Sequence, residues 1–94
     1  MGGVISFNKG VQIASNSVVS ATDGGRLSFG KMVGINRNSM IMCHDSIRIG
    51  ANTVILRGTT IGDNCLIAAG CVVKGNVPAG SVVIQKREEI IKQK

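Results

Sequence analysis

The chain lacks tryptophan and tyrosine altogether and has only two phenylalanines. Aromatic rings form the stacking platforms on which unpaired nucleic-acid bases are recognised, so their scarcity argues against that function. The net charge of +6 is not by itself evidence for nucleic-acid binding. Most lysines and arginines are scattered singly, and the only cluster is Lys86, Arg87, Lys92 and Lys94. We therefore expect no nucleic-acid partner.

Long apolar runs are also missing. No segment approaches the ~20 apolar residues of a membrane-spanning helix, and the N-terminus has no basic and apolar regions of a signal peptide. The chain has three cysteines, an odd number, which fits reduced thiols better than a disulfide framework. These features predict a cytoplasmic protein with no membrane partner.

What the chain has instead is a large apolar residue at every sixth position along most of its length. This spacing fits neither a helix face, where apolar residues recur at three and four, nor the alternation of a long strand. It is typical of a coil with flat sides and sharp corners, in which each side is a short strand with one large inward residue. The pattern predicts an all-β hexapeptide β-helix. The apolar series is Phe7, Ile13, Val19, Phe29, Ile35, Ile41, Ile49, Ile55, Ile61, Ile67 and Val73.

The position three residues after each apolar anchor has its own preference. It is mostly glycine or asparagine, the residue types that tolerate left-handed backbone at a tight corner. We therefore expect left-handed corners at these positions. They are Gly10, Asn16, Thr22, Met32, Asn38, His44, Asn52, Gly58, Asn64, Gly70 and Asn76.

The six-residue register slips twice, by four residues between Val19 and Phe29 and by two between Ile41 and Ile49. Residues 2–23 also overlay residues 24–45, with His44-Asp45 on Thr22-Asp23, which indicates a duplicated coil. Plain 18-residue coils are expected to follow at 49–66 and 67–84. This gives about four coils.

We therefore expect one β-helix domain at residues 1–84 and a basic C-terminal tail or short helix at residues 85–94. A short prism leaves unpaired strand edges at both open ends, so self-association is also expected.

Two stretches resemble the bacterial hexapeptide-repeat acyltransferases. They are IGANTVILRGTTIGDN at 49–64, continuing as IAAGCVV at 67–73, and VPAGSVV at 77–83, which is similar to the stretch that closes the last coil in that family. The resemblance implies left-handed coils, a homotrimer, and an active site in the groove between adjacent prisms. It also implies transfer of an acetyl or other acyl group from coenzyme A to a sugar or another small-molecule hydroxyl or amine.

His44 is the only histidine and hence the only candidate general base of near-neutral pKa. Its setting, HDSIRIG at 44–50, is similar to the catalytic-histidine segment of serine acetyltransferases, which implies that Asp45 orients the ring. Under this resemblance acyl-coenzyme A would lie along the later coils at Ala69 and Gly70, with its phosphates near Lys86 and Arg87. Cys43 adjoins His44 without an evident third ligand, so no metal is expected.

A different interpretation remains open. His44 occupies a corner position held mostly by glycine or asparagine, and histidine is among the residues enriched in left-handed backbone. The chain also joins residues 41–55 directly to the segment at 56–60, where similar sugar O-acetyltransferases carry a histidine-rich loop and a further coil. The alternative is therefore a non-catalytic trimeric β-helix that serves as a scaffold or binding module.

Overall fold

The computed structural model describes residues 2–85, in which short strands alternate with tight corners. The tail at residues 86–94, with Lys86 and Arg87, lies outside the described residues. No helix occurs in residues 2–85. The strands are β1 (Val4–Ser6), β2 (Gln12–Ile13), β3 (Val18–Ala21), β4 (Arg26–Phe29), β5 (Gly34–Ile35), β6 (Met40–Cys43), β7 (Ser46–Ile49), β8 (Val54–Ile55), β9 (Thr60–Ile61), β10 (Leu66–Ile67), β11 (Val72–Val73), β12 (Asn76–Val77) and β13 (Val82–Val83).

Consecutive strands belong to three different parallel sheets. Sheet 1 has the order β1-β4-β7-β10-β13, sheet 2 has β11-β8-β5-β2, and sheet 3 has β12-β9-β6-β3. Three successive strands therefore make one coil, and each strand pairs with the equivalent strand of the coils before and after it. The result is a parallel β-helix of about four coils followed by β13, which confirms the predicted fold class.

Three kinds of corner connect the sheets. Corner 1 leads from sheet 1 to sheet 2 and contains residues 7–11, 30–33, 50–53 and 68–71. Corner 2 leads from sheet 2 to sheet 3 and contains residues 14–17, 36–39, 56–59 and 74–75. Corner 3 leads from sheet 3 back to sheet 1 and contains residues 22–25, 44–45, 62–65 and 78–81.

The core is a column of inward side chains, one from almost every strand. The hydroxyls that point inward at the corners are satisfied by backbone carbonyls: Thr59 Oγ1 donates to Leu56 O at 2.7 Å and Ser39 Oγ donates to the same carbonyl at 3.1 Å. Every buried side-chain nitrogen or oxygen within residues 2–85 therefore has a hydrogen-bond partner. The buried apolar residues are Leu27, Phe29, Val33, Ile35, Ile41, Cys43, Ile47, Ile49, Ile55, Ile61, Cys65, Ile67, Cys71, Val73 and Val77.

The coils shorten along the chain. Val4 pairs with Arg26 and Arg26 with Ser46, so the first coil has 26 − 4 = 22 residues and the second 46 − 26 = 20. These lengths confirm the two predicted slips of four and two residues. The third coil has 66 − 48 = 18 residues, from the pairing of Arg48 with Leu66.

The expected 18-residue last coil is wrong, because Leu66 pairs with Val82 and the coil has 82 − 66 = 16 residues. The difference lies at corner 2, where only residues 74–75 separate β11 from β12. Gly75 makes this short corner with a φ of +84°, so the expected left-handed position at Asn76 is also wrong and Asn76 lies in β12.

Two inward anchors of the first coil are more exposed than the pattern indicated. The side chains of Phe7 and Ile13 are 53% and 41% exposed. They belong to the first coil and are covered by another coil on one side only. The Phe7 ring stacks on the buried ring of Phe29, with centroids 5.2 Å apart and planes 1° from parallel.

The expected left-handed corners are confirmed at eight positions: Gly10, Asn16, Met32, Asn38, Asn52, Gly58, Asn64 and Gly70 all have positive φ. At the corner of Thr22, Asp23 and Gly24 take the left-handed conformation instead. His44 is not among the residues with positive φ. Tolerance of left-handed backbone therefore does not explain why histidine occupies corner 3.

Candidate active site

His44 lies at corner 3, in the two-residue connection between β6 and β7. β6 and β7 alternate inward and outward residues, with Cys43 and Ile47 buried on either side of the corner. Only His44 and Asp45 connect the two strands, and both are exposed. The His44 side chain is 53% exposed and projects from the surface of the prism.

The His44 ring is held by two residues of the preceding coil. Nδ1 lies 2.7 Å from Oγ1 of Thr22 and 3.6 Å from Oδ2 of Asp23. A carboxylate can only accept, so Asp23 favours the ring form that carries its proton on Nδ1. In that form Nδ1–H donates to the Thr22 hydroxyl, and the lone pair of Nε2 is left free to accept a proton.

The backbone of corner 3 is fixed from the following coil. The N–H groups of His44 and Asp45 both donate to Oδ1 of Asp63, each at 3.0 Å. Burial acts to raise the pKa of Asp63, but the N–H groups of Asp45, His44 and Asn64 outweigh it, and the pKa lies below its usual value. Asp63 thus anchors the corner as a carboxylate.

The resemblance assigned ring orientation to Asp45. In the structure, the contacts to the ring come from Thr22 and Asp23, while Asp45 contributes its backbone N–H to Asp63. Sequence reasoning missed Thr22, Asp23 and Asp63 as partners of His44. The overlay of Thr22-Asp23 on His44-Asp45 was the signal that could have found the first two, since it places them at the same corner one coil apart.

Ala69 and Gly70 lie at corner 1 of the fourth coil, where they line a depression of about 940 Å³ together with Asn52, Val72 and Gln85. The Gln85 amide closes one side of it. The N–H of Val72 donates to Gln85 Oε1 at 2.7 Å, and Gln85 Nε2 donates to Val72 O at 2.5 Å. The side chain of Gln85 thereby takes both hydrogen bonds that another strand would make with β11 at this point.

The two groups of candidate residues lie at different corners of the prism. His44 and Asp45 are at corner 3, Ala69 and Gly70 are at corner 1, and sheet 1 separates them. Within one copy of the chain, the structure therefore does not bring His44 together with Ala69 and Gly70.

The cysteines belong to the core. Cys43 is the inward neighbour of His44 and is 1% exposed, and Cys65 and Cys71 are also buried. Burial, followed by the negative charge of Asp63, raises the pKa of the Cys43 thiol, so it is a poor nucleophile in the folded chain. Within residues 2–85, no three or more His, Cys, Asp and Glu side chains are grouped in a way that could hold a metal ion.

Fold and repeat pattern together define a parallel β-helix protein of hexapeptide repeats. A model of the bacterial transferase hexapeptide family (six repeats) matches residues 32–75. This stretch thus consists of hexapeptide repeats of the bacterial transferase type, as the resemblance implied.

The chain is similar to 2,3,4,5-tetrahydropyridine-2,6-dicarboxylate N-acetyltransferases of Staphylococcus aureus. With the proteins of strains JH9, JH1 and Mu3 it shares 47% identity over 49 residues, which is 52% of this chain. The chain spans about a fifth of the length of these relatives, since the match covers 20% of each. No solved structure matches the chain significantly. The part described by the structure contains no helix with the length and apolar character to span a membrane.

Proposed function

We propose that this β-helix is an acyltransferase module that transfers an acetyl or other acyl group from coenzyme A to a hydroxyl or amine of a small molecule, with His44 as general base. One observation carries the proposal. The exposed His44 ring contacts Thr22 and Asp23 through Nδ1, and in the ring form that carries its proton on Nδ1 the lone pair of Nε2 is free to accept a proton. The similarity to N-acetyltransferases supports this reaction class.

The proposed chemistry uses Nε2 of His44 at two steps. As the acceptor's oxygen or nitrogen attacks the thioester carbonyl carbon, Nε2 takes the proton that the acceptor loses. When the carbon–sulfur bond then breaks, the same proton passes to the departing thiolate, so the free thiol of coenzyme A and the acylated acceptor are formed. The Asp23 carboxylate stabilises the transient positive charge on the ring.

For the coenzyme we propose the depression at Ala69 and Gly70. Ala69 has only a methyl side chain and Gly70 has none, so an elongated ligand could reach the backbone of corner 1 there. Gln85 at the rim offers an amide, and Lys86 and Arg87 follow it in the sequence. Their positive charge is suited to phosphate groups.

The separation of the two sites has a consequence for assembly. Because His44 lies at corner 3 and Ala69 at corner 1, a complete site requires His44 of one copy to lie near Ala69 and Gly70 of another. We therefore propose that the active form is a homotrimer with the reaction in the groove between adjacent prisms.

The same separation favours a second candidate function. A chain that does not bring base and coenzyme residues together could serve as a non-catalytic trimeric β-helix, that is, a scaffold or binding module. The two functions differ in whether the protein recognises coenzyme A at all.

The deciding experiment measures release of the coenzyme A thiol from acetyl-coenzyme A in the presence of sugar, amino acid and amine acceptors. We expect acceptor-dependent release by the wild type and a loss of at least about 100-fold in His44→Ala, the usual scale for a general base. Ser15→Ala, another exposed corner substitution, is the control and should keep full activity. No release with any acceptor, or equal release by His44→Ala, would favour the scaffold.

A further inference from the structure

The outward faces of the three sheets are almost free of charge. Between residues 2 and 85, the strands contain only two charged residues, Arg26 of β4 and Arg48 of β7, and both belong to sheet 1. All other charged residues in this range lie at corners. Both arginines are exposed and alternate with buried neighbours, so their side chains project from the sheet 1 face. This placement on one flat face sets them apart from the cations at the corners.

The register of sheet 1 places a serine beside each of these arginines. Arg26 pairs with Ser46, and Ser28 pairs with Arg48. These four outward positions form a rectangle about 4.8 Å wide across the strands and about 6.6 Å long along them. The arginines occupy one diagonal and the serines the other, so the Cα atoms of the two arginines are about 8 Å apart. Two long side chains at this separation can converge on one bound group. We call these four residues the sheet 1 quartet.

The two positive charges of the quartet are not neutralised by acidic side chains. Within the part of the chain that the structure describes, the recorded contact between opposite charges joins His44 to Asp23, and none involves the quartet. Like charges on neighbouring strands repel each other, and an anion bound between them removes this repulsion. The other outward residues of sheet 1 are uncharged; they are Val4, Ser6, Leu66 and Val82.

Arg48 lies between two shallow depressions of the sheet 1 face. The larger, of about 390 Å³, extends toward corner 1, and Ser28, Arg48 and Ala68 are among the residues that line it. The smaller, of about 210 Å³, extends toward corner 3 and is lined in part by Ser46, Arg48 and Asn64. The face therefore has room for a small molecule on either side of the Arg48 side chain.

We propose that the sheet 1 quartet, Arg26, Ser28, Ser46 and Arg48, binds a carboxylate or phosphate group of a small molecule. A guanidinium group can donate two parallel hydrogen bonds to the oxygens of either anion, and the serine hydroxyls can donate to oxygens that remain. Arginine suits this role better than lysine because its planar donors match the geometry of the anion. Two arginines and two hydroxyls together can surround one such group.

The quartet adjoins the corner that carries His44. β7 begins at Ser46, directly after His44 and Asp45, and β4 begins at Arg26, directly after Gly25. The N–H of Arg26 donates to the carbonyl of Asp45 at 2.8 Å, which joins the starts of the two strands. An anionic group held at the quartet leaves the rest of a small molecule beside corner 3. The acceptor is then an anionic hydroxyl or amine compound; this assignment rests on the proposed function, whereas anion binding itself does not.

The first test measures anion binding without coenzyme. Inorganic phosphate and acetate are titrated separately at constant ionic strength, and the backbone amide shifts are followed by NMR. We expect saturable shifts at Ser28 and Ser46, and the anion that saturates at the lower concentration identifies the preferred group. Arg26→Gln and Arg48→Gln should each raise the dissociation constant at least about tenfold, the scale of a lost hydrogen bond to a charged group.

Arg57→Gln is the matched control, because it removes an exposed arginine at corner 2 and should bind as the wild type does. The wild type alone decides the question if a variant fails to fold, since its shifts should be larger at Ser28 and Ser46 than at Arg57. No saturable shift with either anion, larger shifts at corner 2, or equal weakening by Arg57→Gln and Arg48→Gln would overturn the proposal.

A second measurement separates this inference from the proposed function. In the thiol-release assay, glycerate and glycerol 3-phosphate are compared with glycerol, which has hydroxyls but no anionic group. We expect the anionic acceptors to be preferred, and Arg48→Gln to raise their KM about tenfold or more with a smaller effect on kcat. Release that is indifferent to acceptor charge and to Arg48→Gln would reject the acceptor assignment and leave acyl transfer intact. Anion binding without thiol release would count against acyl transfer and leave the anion site intact.

Discussion

The hydroxyl oxygen of Thr22 and the Nδ1 atom of His44 lie 2.7 Å apart, across the boundary between the first and second coils. This contact links the only histidine of the chain to a residue 22 positions earlier. The orientation of the His44 ring therefore depends on the stacking of the first coil on the second. The backbone of the same corner is held from the third coil by Asp63. Residues of the first and third coils therefore both contact His44, the first through its ring and the third through its backbone.

The first prediction concerns the neutral form of the His44 ring. Because Asp23 can only accept a hydrogen bond, the proton is expected on Nδ1. As His44 is the only histidine, the ¹⁵N shifts of its two ring nitrogens can be read without assignment ambiguity. Asp23→Ala should move the population toward Nε2–H, and Asp45→Ala should leave it unchanged. A wild-type ring with its proton mainly on Nε2 would contradict this.

The second prediction concerns acid stability and Asp63. Asp63→Ala removes the acceptor of two backbone N–H groups, so the free energy of unfolding at pH 7 should fall by about 1–3 kcal/mol. The folded-state pKa of Asp63 is lowered, so its stabilisation is complete above the unfolded pKa and disappears as the pH falls through the folded one.

The difference between wild type and Asp63→Ala should therefore shrink below about pH 4. Urea unfolding at pH 7 and pH 3, at one protein concentration, measures it. Asp45→Ala, which removes an exposed carboxylate from the same corner, is the control. A difference that stays constant with pH would show that Asp63 does not act as a carboxylate in the folded chain.

The third prediction concerns the cysteines. All three are buried, and the pKa of the Cys43 thiol is raised by burial and then by the charge of Asp63. In the native protein, a disulfide-exchange reagent such as dithiodipyridine should react with the thiols only as fast as local unfolding of the β-helix exposes them. In denaturant it should react with three thiols per chain. Rapid reaction of one thiol in the native state would contradict the inward position of at least one of the three cysteines.

The fourth prediction concerns Met32, which holds a left-handed corner with a φ of 59°. Gly10, Asn52 and Gly70 occupy the equivalent corner positions of the other coils, and all have positive φ. Met32→Asn should raise the free energy of unfolding by about 0.5–1 kcal/mol, because asparagine tolerates this conformation better and Met32 is 61% exposed. Thermal unfolding of Met32→Asn beside Lys31→Asn measures the effect, and an equal change in both would contradict the explanation.

Much of the fold follows from the sequence because each coil repeats the same packing demand. The spacing of large apolar residues predicted the inward positions, and glycine and asparagine predicted most left-handed corners. Val77 shows the limit. A β-branched apolar residue suits both a narrow corner and an inward strand position, so the sequence alone did not reveal that Val77 lies in β12 and pairs with Ile61.

The candidate site was less predictable for a physical reason. His44 was identifiable as the only histidine, but adjacent residues in an extended corner point in different directions, so Asp45 was a poor guide to the ring's partner. Residues one coil away are ~4.8 Å distant and can face each other. Recognising Thr22 and Asp23 as partners of the His44 ring therefore required knowing which residues of adjacent coils stack on each other. The two slips in the repeat determine this, because they set the lengths of the first two coils.

The central claim is that a coenzyme A site forms between copies of this chain. Calorimetric titration with acetyl-coenzyme A tests it most directly, on the wild type at protein concentrations at which sedimentation velocity shows it assembled and at which it is monomeric. We expect saturable binding of one ligand per chain in the assembled protein and loss of binding in the monomer. No binding by the assembled protein, or equal binding in both states, would contradict the claim.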